Sequence, residues 1–328
     1  MTKFALLIAA LAATACSAST AAPSRFEDRP LGTIRWSVDQ DDDRSDGKVQ
    51  LSFKAGDANH NSHWSNGYDL ADLPGLSAAQ LSGRSQPVRF ALNREAGRLD
   101  CSGNAGDRQG IGTCSFAANA AFAARLAGAG IGSPTEREAY SLTLANVRSD
   151  LIDELGRHGY EKPDVDDMVA MGIHGVTANY VREIAAAGYR LGKASGLVKF
   201  RIFGIDARFI SDMAAIGPQF RSLTAEDLVQ FKIFGVKPEL VRAYRQLGYN
   251  TLDAKDLVKM QIHGVTPQFV TEMAALGYRG IPADKLVEMR IHGVTADYVR
   301  ELKADGITPP SPDQLVRLRI AGYRPGKR

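Results

Sequence analysis

The chain reads as an α+β protein, an N-terminal antiparallel β domain followed by an all-α array of helical hairpins. Three observations carry that reading. Strand-like alternation of apolar and polar residues is confined to the stretch before residue 117. Glycines recur through the second half at a nearly constant step. Between those glycines, apolar residues fall at helical rather than two-residue spacing.

A length of 328 residues, 44% hydrophobic content and a net charge of +3 describe an ordinary chain large enough for two domains. The N-terminus differs from the rest. Lys3 is followed by an apolar run from Phe4 to Ala13, too short to cross a bilayer, and then by small residues. This predicts a secretory signal over residues 1–22 and a tether over 23–30, and places the protein in the periplasm or at the outer membrane. Ala13-Thr14-Ala15 suits ordinary cleavage, and with Cys16 it forms a lipoprotein box in which Ala13 stands where Leu is usual. The cysteines are Cys16, Cys101 and Cys114, so pairing the last two leaves Cys16 odd. Lipidation of Cys16 would explain that, and would add a lipid anchor; cleavage further along would remove it. No later stretch is long and apolar enough to form a transmembrane helix.

Residues 31–127 are expected to form the β domain with a terminal helix. Residues 33–38 and 48–53 alternate as a hairpin, 87–92 and 97–101 as a second pair, and 112–116 as a further strand. A sandwich and an open barrel both satisfy this pattern. Cys101 and Cys114 bracket a glycine-rich connection that a disulfide would close, stabilising by a few kcal/mol in an oxidising compartment. No Cys-x-x-Cys spacing supports a redox pair. The acidic loop of Asp39, Asp41, Asp42, Asp43 and Asp46 lacks the spacing and closing Glu of an EF-hand and reads as solvated. His60 and His63 fall in a polar loop without a third ligand and read as surface histidines beside Trp64. No catalytic, metal or cofactor residues are assigned. Residues 117–127 are helix-prone, with Phe122 and Leu126 on one face, and 128–135 form a glycine-rich linker.

The array occupies residues 136–328. Turn glycines Gly175, Gly204, Gly235, Gly264, Gly293 and Gly322 are spaced 29, 31, 29, 29 and 29 residues apart. A second series, Gly159, Gly188, Gly217, Gly248, Gly277 and Gly306, keeps the same step, which places the two extra residues between Gly217 and Leu228. Each copy holds two short helices. Leu257-Val258-Lys259-Met260 typifies the first, and Thr224 opens one such helix with a capping-box pattern. Thr177, Thr266 and Thr295 are placed to cap the second, whose face in one copy is Phe269, Val270, Met273 and Leu276. A hairpin this small buries both faces only by stacking on its neighbours. His174, His263 and His292 share a position with Phe203, Phe234 and Ala321, so packing rather than metal binding is expected there.

From residue 173 onward there are 23 Lys and Arg against 15 Asp and Glu. Arg201, Lys232, Arg290 and Arg319 share one repeat position, and Arg182, Arg242 and Arg300 another. Such rows predict a basic stripe facing a protein or anionic envelope component, or a solvated face multiplied by duplication.

Two resemblances arise at the turn. Ile262-His263-Gly264-Val265-Thr266-Pro267 with Val270 and Met273 resembles helix-hairpin-helix DNA-binding modules, which implies nucleic acid as an alternative partner. The second glycine of that motif is replaced by Thr177, Asp206, Lys237, Thr266 or Thr295. The longer pattern Ile-His-Gly-Val-Thr-x-x-Tyr/Phe-Val-x-Glu, with Gly-Tyr ending units, is similar to repeats of exported bacterial proteins and of C-terminal extensions on membrane zinc-peptidase antirepressor sensors. That similarity covers about residues 144–328 and implies a non-enzymatic envelope sensing or interaction module. The peptidase motif His-Glu-x-x-His is absent.

Overall fold

The computed structural model describes residues 31–39, 48–56, 61–308 and 310–326. The signal over 1–22, Cys16, the tether, His60 and the loop residues Asp41, Asp42, Asp43 and Asp46 lie outside the described residues. The N-terminal half is one six-stranded antiparallel sheet followed by the helical array. Its strands are β1 (Thr33–Asp39), β2 (Val49–Gly56), β3 (Asn61–Tyr68), β4 (Gln86–Arg94), β5 (Gly97–Gly106) and β6 (Gln109–Ala118). They lie in the order β3-β2-β1-β6-β5-β4. A single sheet replaces the sandwich, and β3 and β4 stand at opposite edges, so it is open.

Alternation decides which face is covered. Ile34, Trp36 and Val38 on β1, and Val49, Leu51, Phe53 and Ala55 on β2, are buried. They meet Leu73, Leu76 and Leu81, the last on α1 (Ala78–Ser82), together with Tyr140 and Leu144. β3 corrects the reading of residues 61–64 as a loop. An edge strand uses one hydrogen-bonding side, and here Trp64 opposite Phe53 supplies its apolar contact. Apart from Tyr68, which is buried and meets Phe53 edge to face at 6.2 Å, its other residues are polar or glycine, so alternation barely registers, and His63 is an exposed residue opposite Lys54.

The connection between Cys101 and Cys114 is also not a loop. The two cysteines are bonded across β5 and β6, directly opposite in register. The ladder continues past them to a two-residue turn at Asp107 and Arg108, both with positive φ, 51° and 66°. That is the turn whose twist suits a hairpin, normally built from Asn or Gly. Here the α1 end holds it, with Asp107 N–H donating to Gly83 O at 2.7 Å and Arg108 N–H to Leu81 O at 2.8 Å.

Trp36 ties the middle of the sheet to its far edge. In a flat sheet β1 and β4 would be about 14 Å apart, three strand spacings. Trp36 nevertheless meets Phe90 edge to face with centroids 5.0 Å apart, and its indole N–H donates to Ser102 O at 3.1 Å. The indole can lie sideways because β6 carries Gly112 beneath it, where a Cβ would stand 2.5 Å from the indole nitrogen and 2.1 Å from Ser102 O.

Two helices join the halves, α2 (Ala120–Gly128) and α3 (Glu136–Leu144). Phe122 and Leu126 of α2 pack into the core of the array. α3 faces both ways: Tyr140 and Leu144 enter the core of the sheet, while Leu142 enters that of the array. The repeats follow as α4 (Ser149–Arg157), α5 (Val165–Ile173), α6 (Ala178–Ala186), α7 (Ala194–Ile202), α8 (Ala207–Ala214), α9 (Ala225–Ile233), α10 (Pro238–Gln246), α11 (Ala254–Ile262), α12 (Pro267–Ala275), α13 (Ala283–Ile291), α14 (Ala296–Ala304) and α15 (Pro312–Ile320). Even-numbered helices pack on even ones from α2 to α14. Odd-numbered helices pack on odd ones from α3 to α7 and from α9 to α15. Between α7 and α9 falls the two-residue insertion, which contains a 3-10 turn at Pro218–Phe220 with Phe220 buried.

The glycine stops behave as their spacing predicts, except Gly217, which is extended at φ 174° where the insertion begins. Gly264 has φ 66°, and the next residue's N–H, on Val265, donates back to Met260 O at 2.9 Å. Gly277 has φ 100°, with Tyr278 N–H donating to Met273 O at 2.9 Å. Both are Schellman closures, which satisfy the last free carbonyls of each helix. The predicted caps form as well, Thr177, Thr266 and Thr295 accepting from the N–H three residues on. Thr224 forms a full capping box with Asp227. No helix among the described residues is long and apolar enough to cross a membrane.

Replacing Gly112 by Ala should destabilise the sheet by about 1 to 3 kcal/mol, the usual cost of overpacking. Urea unfolding would measure it, and near-ultraviolet circular dichroism should show the Trp36 environment altered; an unchanged midpoint would refute the role given to that glycine.

Candidate partner-binding surface

The first predicted basic row is internally engaged. Arg201 lies over the Tyr180 ring at 4.9 Å, Lys232 over Phe209 at 4.0 Å, Arg290 over Phe269 at 5.1 Å and Arg319 over Tyr298 at 4.6 Å. In each case an odd helix sends its cation back onto an aromatic ring of the preceding even helix. Such contacts contribute roughly 0.5 to 2 kcal/mol each, depending on desolvation. Burial is the main reason that the Lys232 amine is held below its usual pKa. Arg201 also donates from Nε to His174 O at 3.2 Å, a carbonyl at the C-terminus of α5, where the helix dipole favours a cation.

Copies without a ring lack the cation. Leu151 and Leu240 occupy the ring position, and the matching cation positions hold Gly172 and Gln261. Gln261 instead donates to the Tyr244 hydroxyl at 3.4 Å. Ring and cation therefore change together in the six copies, as expected of a contact between neighbouring repeats. Tyrosines add a second set of ties: Tyr189, Tyr249 and Tyr278 donate to Leu223 O, Ile281 O and Pro310 O, each at 2.7 Å.

The second row is more exposed but is partnered on its own surface. Arg242 pairs with Glu239 at 3.5 Å and Arg300 with Asp297, each one helical turn earlier. Arg182 reaches Glu154 at 3.3 Å, and that almost fully buried carboxylate also meets His158 at 2.9 Å and Arg157. Although desolvation pushes the Glu154 carboxyl up, the bonds from Arg157, His158 and Arg182 outweigh it and hold its pKa below the usual range. The two rows are thus separate features, joined to different partners.

A third row went unrecognised in the sequence. Ile173, Ile202, Ile233, Ile262, Ile291 and Ile320 are 52%, 56%, 52%, 52%, 55% and 63% exposed. They are the last residues of the odd helices α5 to α15, so one stands at the corresponding turn of every repeat. The periodicity conceals this, because Ile262 follows the buried Val258 by four residues and so falls on the same helical stripe. The available signal was invariance: the residue before the isoleucine is Gly, Arg, Lys, Gln, Arg and Arg, and the residue after it His, Phe, Phe, His, His and Ala.

The histidine position, expected to be a half-buried packing site, is so at His263 and Phe203, the latter packed against the core, but not in every copy. His174, His292 and Phe234 are exposed, so they flank the isoleucines rather than fill the core. The reason is their place at the helix end, past the last residue that the neighbouring helix covers. Isoleucine, its neighbouring ring or imidazole, and the stacked cation together make a ridge along the turns from odd to even helices. With helices packed about 8 to 10 Å apart, six copies span on the order of 50 Å.

A cavity of about 630 Å³ lies where the sheet meets the first repeats, lined by Trp64, Tyr68, Asp72, Arg94, Asn146 and Ile173 among others. Arg94 and Asp72 are paired across 2.8 Å, and Lys48 and Asp69 across 3.6 Å. Burial pushes the Tyr68 phenol up to about 12, against a smaller opposite effect of the Trp64 N–H. These polar atoms of Tyr68 and Trp64 are enclosed and make no well-formed hydrogen bond. No group of three or more His, Cys, Asp or Glu among the described residues is placed to hold a metal.

A double-mutant cycle of Arg290→Ala with Phe269→Leu should return a coupling of about 0.5 to 1 kcal/mol. The cycle of Arg300→Ala with Asp297→Ala, an exposed pair, should return almost none. Equal couplings from chemical denaturation would contradict the distinction between the rows. Comparison with known proteins found no matching family model, curated protein or solved structure.

Proposed function

We propose that this is an exported, non-enzymatic interaction protein of the bacterial cell envelope whose helical repeats present a recognition surface. The observation that carries this reading is the ridge of six exposed isoleucines. Isolated apolar residues on a surface need no explanation, but the same exposed isoleucine at the same turn of all six copies does. Covering a half-exposed isoleucine is worth roughly 1 kcal/mol, so six in line provide a substantial gross driving force for association. The apolar run after Lys3 supports export, and the Cys101–Cys114 bond suits an oxidising compartment. Whether Cys16 carries a lipid is part of the same proposal.

The ridge replaces the basic rows as the centre of that surface. Arg201, Lys232, Arg290 and Arg319 serve it by lying next to the isoleucines, while Arg182, Arg242 and Arg300 stand on the even helices. Nucleic acid is the less supported partner, since the second glycine that would hold a phosphate is replaced in every copy and the exposed residue common to all six copies is apolar. A nucleic-acid complex would show affinity falling steeply with salt.

Photocrosslinkers placed at residues 233 and 262 should label envelope components in living cells. A crosslinker at 279, in the connection at the other end of the hairpin, should not label the same components. Identical labelling from all three positions would overturn the assignment of the surface.

A further inference from the structure

We infer that the isoleucine ridge docks on an anionic lipid surface. This rests on the reading of the ridge as the recognition surface and names its partner.

The chemistry of the ridge is the first ground. Each exposed isoleucine in four of the six copies directly follows a cation: Arg201-Ile202, Lys232-Ile233, Arg290-Ile291 and Arg319-Ile320. The cations are stacked on rings of the preceding helix, and three of them reach back to the turn itself: a Cβ on Gly175, Gly264 or Gly293 would stand 2.9, 3.3 or 2.9 Å from the guanidinium of Arg201, Arg290 or Arg319. Aliphatic tips with cations beside them match the acyl boundary and phosphate layer of a membrane. Phe234 is 38% exposed beside Ile233, and Tyr323 is 39% exposed beyond Ile320, an amphipathic ring of the kind favoured at that boundary.

Uniformity is the second ground. The apolar residue is isoleucine in all six copies, although its neighbours on both sides vary. A partner that selects the same side chain at every step offers the same chemistry at every step. A bilayer does so over the length of the ridge, whereas a folded protein presents a different surface at each position. A second copy of the chain is disfavoured for an electrostatic reason. Two ridges face to face would bring Arg201, Lys232, Arg290 and Arg319 against a like row, and like charges across an interface repel.

Flotation with vesicles tests the proposal, using the chain with Cys16→Ser so that no acyl chain contributes. The protein should float with vesicles of phosphatidylglycerol and phosphatidylethanolamine and stay unbound with phosphatidylcholine. The triple variant Ile233→Ser, Ile262→Ser, Ile291→Ser should lose binding at least tenfold with its helical circular dichroism retained. A polarity-sensitive dye on Ile262→Cys should shift to the blue with the anionic vesicles and not with the neutral ones, a readout that does not depend on the triple variant folding. Absence of flotation, equal flotation with both vesicle types, or an unshifted dye would overturn the inference. If flotation fails while crosslinks from residues 233 and 262 identify a protein, the lipid assignment falls and the recognition surface stands. If both fail, the reading of the ridge falls with it.

Discussion

Everything in the C-terminal half depends on where each short helix stops. Glycine in a left-handed conformation turns the chain, and the N–H of the following residue satisfies a carbonyl one turn back. Gly264 with Val265 and Gly277 with Tyr278 show the two versions within one repeat. Because the stop is set by backbone chemistry, helix length hardly varies, and equivalent residues of successive copies come into line. The isoleucine row is a direct result, since its members occupy the last helical position before the turn. An extra residue inside an odd helix would rotate that position away. The two-residue insertion instead falls outside the helices, near Pro218–Phe220.

The stops shape the hairpins but do not join them. Neighbouring copies are joined by buried apolar faces and by directional contacts laid over them. Arg201 on Tyr180 and Arg290 on Phe269 reach from one repeat to the one before, and Tyr249 and Tyr278 reach to the one after. The pairing of ring with cation, and of Leu151 with Gly172 or Leu240 with Gln261, makes the row a property of interfaces between repeats rather than of helix surfaces. A cation held this way still lies next to exposed isoleucine, so one side chain serves both the stability of the array and the character of its edge.

At the N-terminal end the array is joined to the sheet through shared helices. α3 places Tyr140 against Phe116, edge to face at 5.6 Å, and sends Leu142 into the repeats. Glu95, in the turn between β4 and β5, accepts from both the Ser149 N–H and hydroxyl at 2.7 Å, at the start of α4. Partial burial pushes its carboxyl up, but the Ser149 bonds and nearby Arg148 hold it below the usual range. The first repeats therefore meet a fixed surface. Their departures from the pattern, Leu151 and Gly172, fall there: a Cβ on Gly172 would stand 2.7 Å from Val147 and 2.8 Å from Ala145.

The features decided by the sequence alone are those with short-range causes. Glycine stops, threonine caps, the helical hairpin and its step follow from residues within a turn or two of each other. The α+β order and the Cys101–Cys114 pair were legible for the same reason, one from local periodicity and the other from arithmetic. Tertiary structure decided what each side chain meets. It made a strand of the polar residues around His63, because pairing with β2 supplied what its own pattern lacked. It turned the presumed cysteine loop into a hairpin, because α1 holds the turn at Asp107 and Arg108. It stacked Arg290 on a ring 21 residues earlier and left Ile262 uncovered, although periodicity placed that residue on the buried stripe. Except for β3, whose partner strand is adjacent in sequence, the deciding partner is distant along the chain, and local pattern carries no record of where a neighbouring helix ends.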